Sequence, residues 1–206
     1  MSESLLGYEY LYERHKGPRT LVLLHGSGGN ERDMLGLGEE FDGDANMLSV
    51  RGNVSQNGIN RYFRRISDGV IDREDLAKRS ADLGVFIESA ARKHSFDIEQ
   101  AIGVGFSNGA SILLHLVCSN PSLLKAAMLQ RPHSTALPDS TAPLEGLPIY
   151  IGAGAQDSMI PTSDAKRLET VLRAAGAFPT LHMTQSEHRL EAEDVALARE
   201  WLATIQ

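Results

Sequence analysis

The chain has 206 residues, of which 42% are hydrophobic and 23% charged, with a formal charge of −7. This composition is that of a folded globular protein and excludes a disordered chain, a collagen-like repeat and a disulfide scaffold. The acidic balance also lacks the basic excess with which a nucleic-acid binder neutralises phosphates, so no nucleic-acid partner is expected.

In chain order, Tyr8, Tyr10 and Tyr12 alternate with Glu9, Leu11 and Glu13, which predicts an edge strand. Thr20 to Leu24 is a short apolar run, the form of a strand covered on both faces. It runs into a glycine-rich turn, His25-Gly26-Ser27-Gly28-Gly29. Glu31 to Phe41 reads as a short helix and Asn46 to Val50 as a second buried strand, while Arg51 to Val70 is polar and irregular. Asp72 to His94 carries the clearest helical period, with Leu76, Leu83, Phe86, Ile87, Ala90 and Ala91 on one stripe and Asp72 as its cap. Ala101 to Phe106 is a strand that ends at Ser107, and Ser111 to Cys118 is a buried helix stopped by Asn120-Pro121. Lys125 to Gln130, Pro148 to Gly152 and Thr180 to Thr184 complete the strands. Thr162 to Ala175, ending at Gly176, and Arg189 to Ile205 complete the helices.

Strands alternating with helices at this spacing predict an α/β fold, a mainly parallel sheet of about seven strands with helices on both faces. No repeat or linker interrupts the chain, so one domain over residues 1–206 is expected. The lone cysteine, Cys118, rules out an intramolecular disulfide and fits a reducing compartment. The N-terminus has no basic region followed by an apolar stretch, so no secretory signal is expected. No apolar run approaches the roughly 20 residues of a membrane span. The cytoplasm is the expected location.

The sharpest motif is Gly105-Phe106-Ser107-Asn108-Gly109. It matches G-x-S-x-G between a predicted strand and a predicted helix, the context of a nucleophile elbow. Small residues two before and two after the serine let strand and helix approach. The serine oxygen then projects above the sheet at a helix N-terminus, which favours developing negative charge.

Serine is a weak nucleophile without a base and a group that orients the base, and on such a fold the order is serine, acid, histidine. Asp157 follows the strand from Pro148 and sits where ligand sites of open α/β sheets are built. Its rivals are Asp139, in a Pro-rich stretch, and Asp164, which suits the first turn of a helix. His188 follows the last strand and is favoured as base over His182, inside that strand, and His133, which precedes the acid. His15, His94 and His115 read as surface or packing residues. The glycine turn after the first buried strand can aim backbone N–H groups at an oxyanion. The expected donors are the N–H groups of Asn108 and Ser27, with Gly28 next.

At these residues the chain resembles the phospholipase/carboxylesterase group of small α/β-hydrolases, which includes acyl-protein thioesterases. The resemblance rests on Leu24-His25-Gly26-Ser27-Gly28-Gly29-Asn30, Arg51-Gly52-Asn53-Val54, Arg61-Tyr62-Phe63-Arg64-Arg65, Gly105 to Ala110 and Asp157-Ser158-Met159-Ile160-Pro161. It implies an α/β-hydrolase fold with no large lid domain and Ser107, Asp157 and His188 as the triad. The chain departs from the group at Glu187, where a glycine is common before the histidine, and at Gln56, where glutamate is frequent. Tyr62, Phe63 and Met159 are candidate pocket walls on the same resemblance and equally good core residues. Gly28 and Arg51 complete the substrate-binding candidates.

Arg51, Arg61, Arg64 and Arg65 form a basic cluster that could steer an acidic ester, although pairing with acids such as Glu39, Glu40, Asp42 and Asp44 is the preferred reading. No metal motif is present and no cofactor is expected. The expected activity is hydrolysis of carboxylic esters of small soluble substrates through an acyl-enzyme. A thioesterase or lysophospholipase with the same triad, and a silent ligand-binding version of the fold, are the alternatives. A homodimer is the expected assembly.

Overall fold

Residues 1–67 and 69–205 are described by the computed structural model. The elements begin with β1 (Glu3–Leu5), β2 (Tyr8–Glu13), β3 (Thr20–Leu24), α1 (Leu35–Phe41) and β4 (Asn46–Val50). Four short strands follow, β5 (Val54–Gln56), β6 (Ile59–Arg61), β7 (Arg65–Ser67) and β8 (Val70–Ile71). The rest of the chain comprises α2 (Arg73–His94), β9 (Ala101–Phe106), α3 (Asn108–Ser119), β10 (Ala126–Gln130), β11 (Pro148–Gly154), α4 (Thr162–Ala174), β12 (Phe178–Thr184) and α5 (Ala192–Ala203).

Eight strands form one sheet in the order β1-β2-β4-β3-β9-β10-β11-β12. β4, β3, β9, β10, β11 and β12 run parallel, and β1 and β2 add antiparallel pairs at one side. Every residue of β3, β4 and β10 is buried, because helices cover both faces. Alternate residues divide between two cores. Val22, Leu24, Leu48 and Val50 face α2, α3 and α4, whose Leu83, Ile112 and Leu168 lie in the same cluster. Leu21, Leu23, Met47 and Val104 face α1 and α5, represented by Phe41 and Trp201. From β3 the chain steps to β4 on one side and later to β9 on the other. The loops after β3 and β9 therefore diverge, and such a divergence opens a crevice at the carboxyl ends of the strands.

The Tyr8–Glu13 strand is second from the edge, because β1 pairs outside it. The sheet has eight strands where about seven were expected. The stretch predicted as irregular holds two small hairpins, β5–β6 and β7–β8. Two helices begin later than expected. α1 starts at Leu35, and α5 starts at Ala192, where Glu191 and Asp194 form a reciprocal capping box. α3 begins earlier, directly after Ser107. β12 begins at Phe178 and carries Pro179, which an edge strand tolerates. No helix among the described residues is long and apolar enough to cross a membrane.

Within the arginine cluster, Arg51 and Arg64 form ion pairs, with acids other than the four named as examples. Arg51 holds Glu31 at 2.6 Å and Glu9 at 2.7 Å, and Arg64 holds Asp72 and Asp75. Asp42 pairs with Arg19 instead. Burial pushes the Glu31 carboxyl up, yet hydrogen bonds from Arg51 and Ser2 outweigh it and hold the group at about 2. A carboxyl depressed in the folded state contributes stability above its unfolded value, about 4.3, and loses it as pH falls toward 2. The urea midpoint is expected to drop between pH 5 and pH 2, and Glu31→Gln is expected to flatten that drop while lowering stability at pH 7. An unchanged pH slope in Glu31→Gln would contradict the assignment.

Candidate active site

Ser107 lies between β9 and α3 with φ 52° and ψ −108°. A non-glycine residue held there costs on the order of 1–3 kcal/mol and persists only where its surroundings enforce it. Here they do. A Cβ at Gly105 would sit 2.6 Å from the backbone of Gly109 and Ala110, and a Cβ at Gly109 would collide with the Leu24 carbonyl. Glycine at both positions lets the helix start against the strand ends. The Ser107 N–H donates to the Gln130 carbonyl at 2.8 Å, which fixes the turn from the neighbouring strand.

The sequence-predicted acid and base converge on this serine. His188 Nε2 lies 3.0 Å from Ser107 Oγ, and His188 Nδ1 lies 2.8 Å from Asp157 Oδ2. The Asp157 side chain is fully buried, and its other oxygen accepts the N–H groups of Met159 and Ile160 at 2.8 and 2.9 Å. Two donors on one carboxylate oxygen leave the second to face the imidazole. The Phe106 ring packs 5.4 Å from the His188 ring. Glu187, beside the histidine, is exposed.

The competing residues lie elsewhere or do other work. Asp139 is exposed and pairs with Arg73. Asp164 receives the Ser134 N–H and lies 3.2 Å from His133 Nδ1. His182 stacks on Tyr150, and His94 stacks on Tyr12. Burial pushes the Cys118 thiol up to about 12, so it is no nucleophile.

The glycine turn is shaped by His25, a residue not singled out from the sequence. Its ring lies 2.6 Å from the Gly26 carbonyl through Nδ1, and Nε2 accepts the Gly52 N–H at 3.0 Å. Both contacts are made by a neutral ring, and burial lowers its pKa accordingly. Tyr62 joins the same scaffold. Its hydroxyl donates to Val50 and accepts the His25 N–H, and its own N–H donates to Asn108 Oδ1 at 2.8 Å. The Leu-His-Gly run ahead of the glycines was the available signal for His25. The Gly28 N–H donates to the Asn60 carbonyl at 2.8 Å and is therefore occupied, which removes it as the alternative oxyanion donor. Asn108 is the first residue of α3, a position whose N–H has no partner within its own helix.

A cleft of about 340 Å³ opens over Ser107 and His188. Phe63, Ile71, Met159 and Ile160 supply its apolar wall, and Arg65, Ser111 and His133 its polar side. Phe63 and Met159 thus stand at the cleft. Gly28 and Arg51 do not line it, because Gly28 is tied to Asn60 and Arg51 is held by Glu9 and Glu31. Gln56 pairs through its amide with both the N–H and the carbonyl of Arg65, at 3.1 and 2.8 Å. A glutamate could accept from that N–H but could not donate to the carbonyl. Among the described residues, no group of three or more His, Cys, Asp or Glu side chains could hold a metal ion.

The sequence signature of the phospholipase/carboxylesterase family matches residues 43–206. The chain belongs to this family. It is 40% identical over 197 residues to the Bacillus subtilis (strain 168) protein MhqD, covering 94% of this chain and 96% of that one. The crystal structure of the Bacillus cereus carboxylesterase matches with a TM-score of 0.92 and 36% identity, over 97% of this chain and 95% of that one. A carboxylesterase from Mesorhizobium loti matches with a TM-score of 0.91 and 28% identity, over 98% and 99% of the two chains. Family membership makes the chain an α/β-hydrolase and a carboxylic ester hydrolase. In this member of the phospholipase/carboxylesterase family, the glycine turn at residues 25–29 lies ahead of the matched stretch. The elbow and the loops carrying Asp157 and His188 lie within it.

Proposed function

We propose that this chain hydrolyses carboxylic esters of small molecules by two-step acyl transfer, with Ser107 as nucleophile, His188 as general base and Asp157 orienting the base. The observation that carries the reading is the continuous chain Asp157–His188–Ser107, with links of 2.8 and 3.0 Å, opening on the apolar cleft. His188 takes the Ser107 proton as the oxygen attacks the ester carbonyl. Asp157 keeps the imidazole in the tautomer with its Nε2 toward the serine and stabilises the cation that forms. The proton passes to the leaving alcohol. Water then attacks the acyl-enzyme by way of the same base. The N–H groups of Asn108 and Ser27 are the proposed oxyanion donors, and one such donor is worth about 2.7–4 kcal/mol in the transition state.

A cleft of about 340 Å³ is at the small end for ligand sites and favours short acyl groups. The whole chain acts as one domain in this reading. The cytoplasm fits its single buried thiol.

A panel of p-nitrophenyl esters of increasing acyl length tests the substrate class. The highest kcat/KM is expected for short acyl chains. A matched set of thioesters serves as comparison. Faster turnover of long-chain thioesters would replace the esterase reading with a thioesterase. Absence of turnover of every ester by folded protein would overturn the proposal.

A further inference from the structure

The residue after β10, Arg131, is 1% exposed and adopts φ 54°. Its guanidinium is paired with Asp194, 2% exposed, at 2.8 Å. A buried ion pair of this kind is weak evidence for stability, since desolvating both charges offsets their attraction. Its other contacts suggest what it does. Nε donates to the Glu187 carbonyl at 3.2 Å, and Nη2 donates to Ser186 Oγ at 2.6 Å and to the Arg189 carbonyl at 3.4 Å. The three contacts fall on residues 186, 187 and 189, so they bracket His188 from both sides.

Asp194 in turn anchors the guanidinium. It accepts from Thr184 Oγ1 at 2.7 Å and from the Glu191 N–H at 2.9 Å. Burial pushes its carboxyl up, but the hydrogen bonds from Glu191, Thr184 and Arg131 prevail and keep it below the usual range. The other end of the clamp reaches the nucleophile. Gln130, one residue before Arg131, accepts the Ser107 N–H at 2.8 Å, and the Arg131 N–H donates to the Gly152 carbonyl at 2.8 Å. The Ala155 and Gln156 N–H groups, on the loop of Asp157, donate to the Thr184 and Ser186 carbonyls. Adjacent residues at one strand end therefore hold the serine turn and the histidine loop in a common frame.

We infer that Arg131 is a positioning residue for His188, setting the imidazole against Ser107 by holding the backbone on either side of it. The inference rests on the proposed role of His188 as base. The guanidinium makes these contacts from two separate nitrogens, Nε to the Glu187 carbonyl and Nη2 to Ser186, Asp194 and the Arg189 carbonyl, and the single ammonium of a lysine cannot stand in both places.

The test is Arg131→Lys, assayed on a short p-nitrophenyl ester beside wild type and His188→Ala. Lysine keeps the charge opposite Asp194 but cannot reproduce the fork. Folding is expected to survive, with KM within about twofold of wild type and kcat reduced about 10- to 100-fold, since small misplacements of a catalytic group cost that much. A purely structural Arg131 would lower thermal stability and leave kcat per folded molecule unmoved. That result in a folded variant would overturn the inference. Should Arg131→Lys fail to fold, Ser186→Ala removes one bond of the clamp and keeps the ion pair. It is read by the same split, with an expected drop in kcat of about 3- to 10-fold, and an unchanged kcat would again overturn the inference. Full activity in His188→Ala would instead defeat the reading of His188 itself.

Discussion

Ser107→Ala is expected to lower kcat/KM on a short carboxylic ester by roughly 10⁴- to 10⁶-fold while leaving the fold intact. The oxygen it removes is the atom 3.0 Å from His188 Nε2. The methyl group that remains fits the same turn, because among the described residues the bond to His188 is the one Ser107 Oγ makes. His188→Ala is expected to cost a similar factor. The two losses should not add, since a serine without its base and a base without its serine are the same broken unit. A double variant much slower than either single one would mean that the two groups act independently. Residual turnover in each variant would report what cleft binding and the oxyanion donors supply without the nucleophile.

The largest expected effect on folding is at Gly109. A Cβ there would meet the backbone of Leu24 and the His25 carbonyl, 2.7 Å away, where α3 starts against the end of β3. Backbone cannot swing aside as a side chain can, so the helix must lift off the sheet. Gly109→Ala is expected to cost about 3 kcal/mol or more, the upper range for overpacking a core. It should also lose ester hydrolysis, because the same contact sets the angle of Ser107. Gly36→Ala is the internal control. Gly36 lies in α1, with nothing within 4 Å of the added Cβ. It should gain roughly 0.5–1 kcal/mol from helix propensity alone. Urea unfolding of the two variants reads both signs. Equal stability of Gly109→Ala and wild type would contradict the packing described.

The parts of this molecule that could be read from its sequence are those whose cause is local. Thr20–Leu24, Asn46–Val50 and Ala101–Phe106 have the predicted boundaries because an apolar run must be covered on both faces. Ser107, Asp157 and His188 were legible because each follows the end of a predicted strand. The hairpins between residues 54 and 71 were not. Their strands of two or three residues follow no clean alternation and are held from outside each hairpin, by Gln56 of the first on Arg65 of the second and by Asn108 on Tyr62. Glu3–Leu5 was missed as the sheet edge because three residues carry too little period to register. Arg131 carried no signal in the sequence. Its meaning depends on Ser186 and Asp194, 55 and 63 positions away, and no spacing rule links them. The partners of Arg51, Glu9 and Glu31, escaped notice for the same reason. The acids nearest in sequence were not those brought near by the pairing of β2 with β4.

On the proposed mechanism Ser107 is an activated nucleophile. The most direct measurement is the intact mass of the folded protein after exposure to a fluorophosphonate, with peptide mapping and Ser107→Ala alongside. A single adduct is expected, mapped to Ser107 and absent from the variant. No adduct on folded wild-type protein, or an adduct that persists in Ser107→Ala, would contradict it.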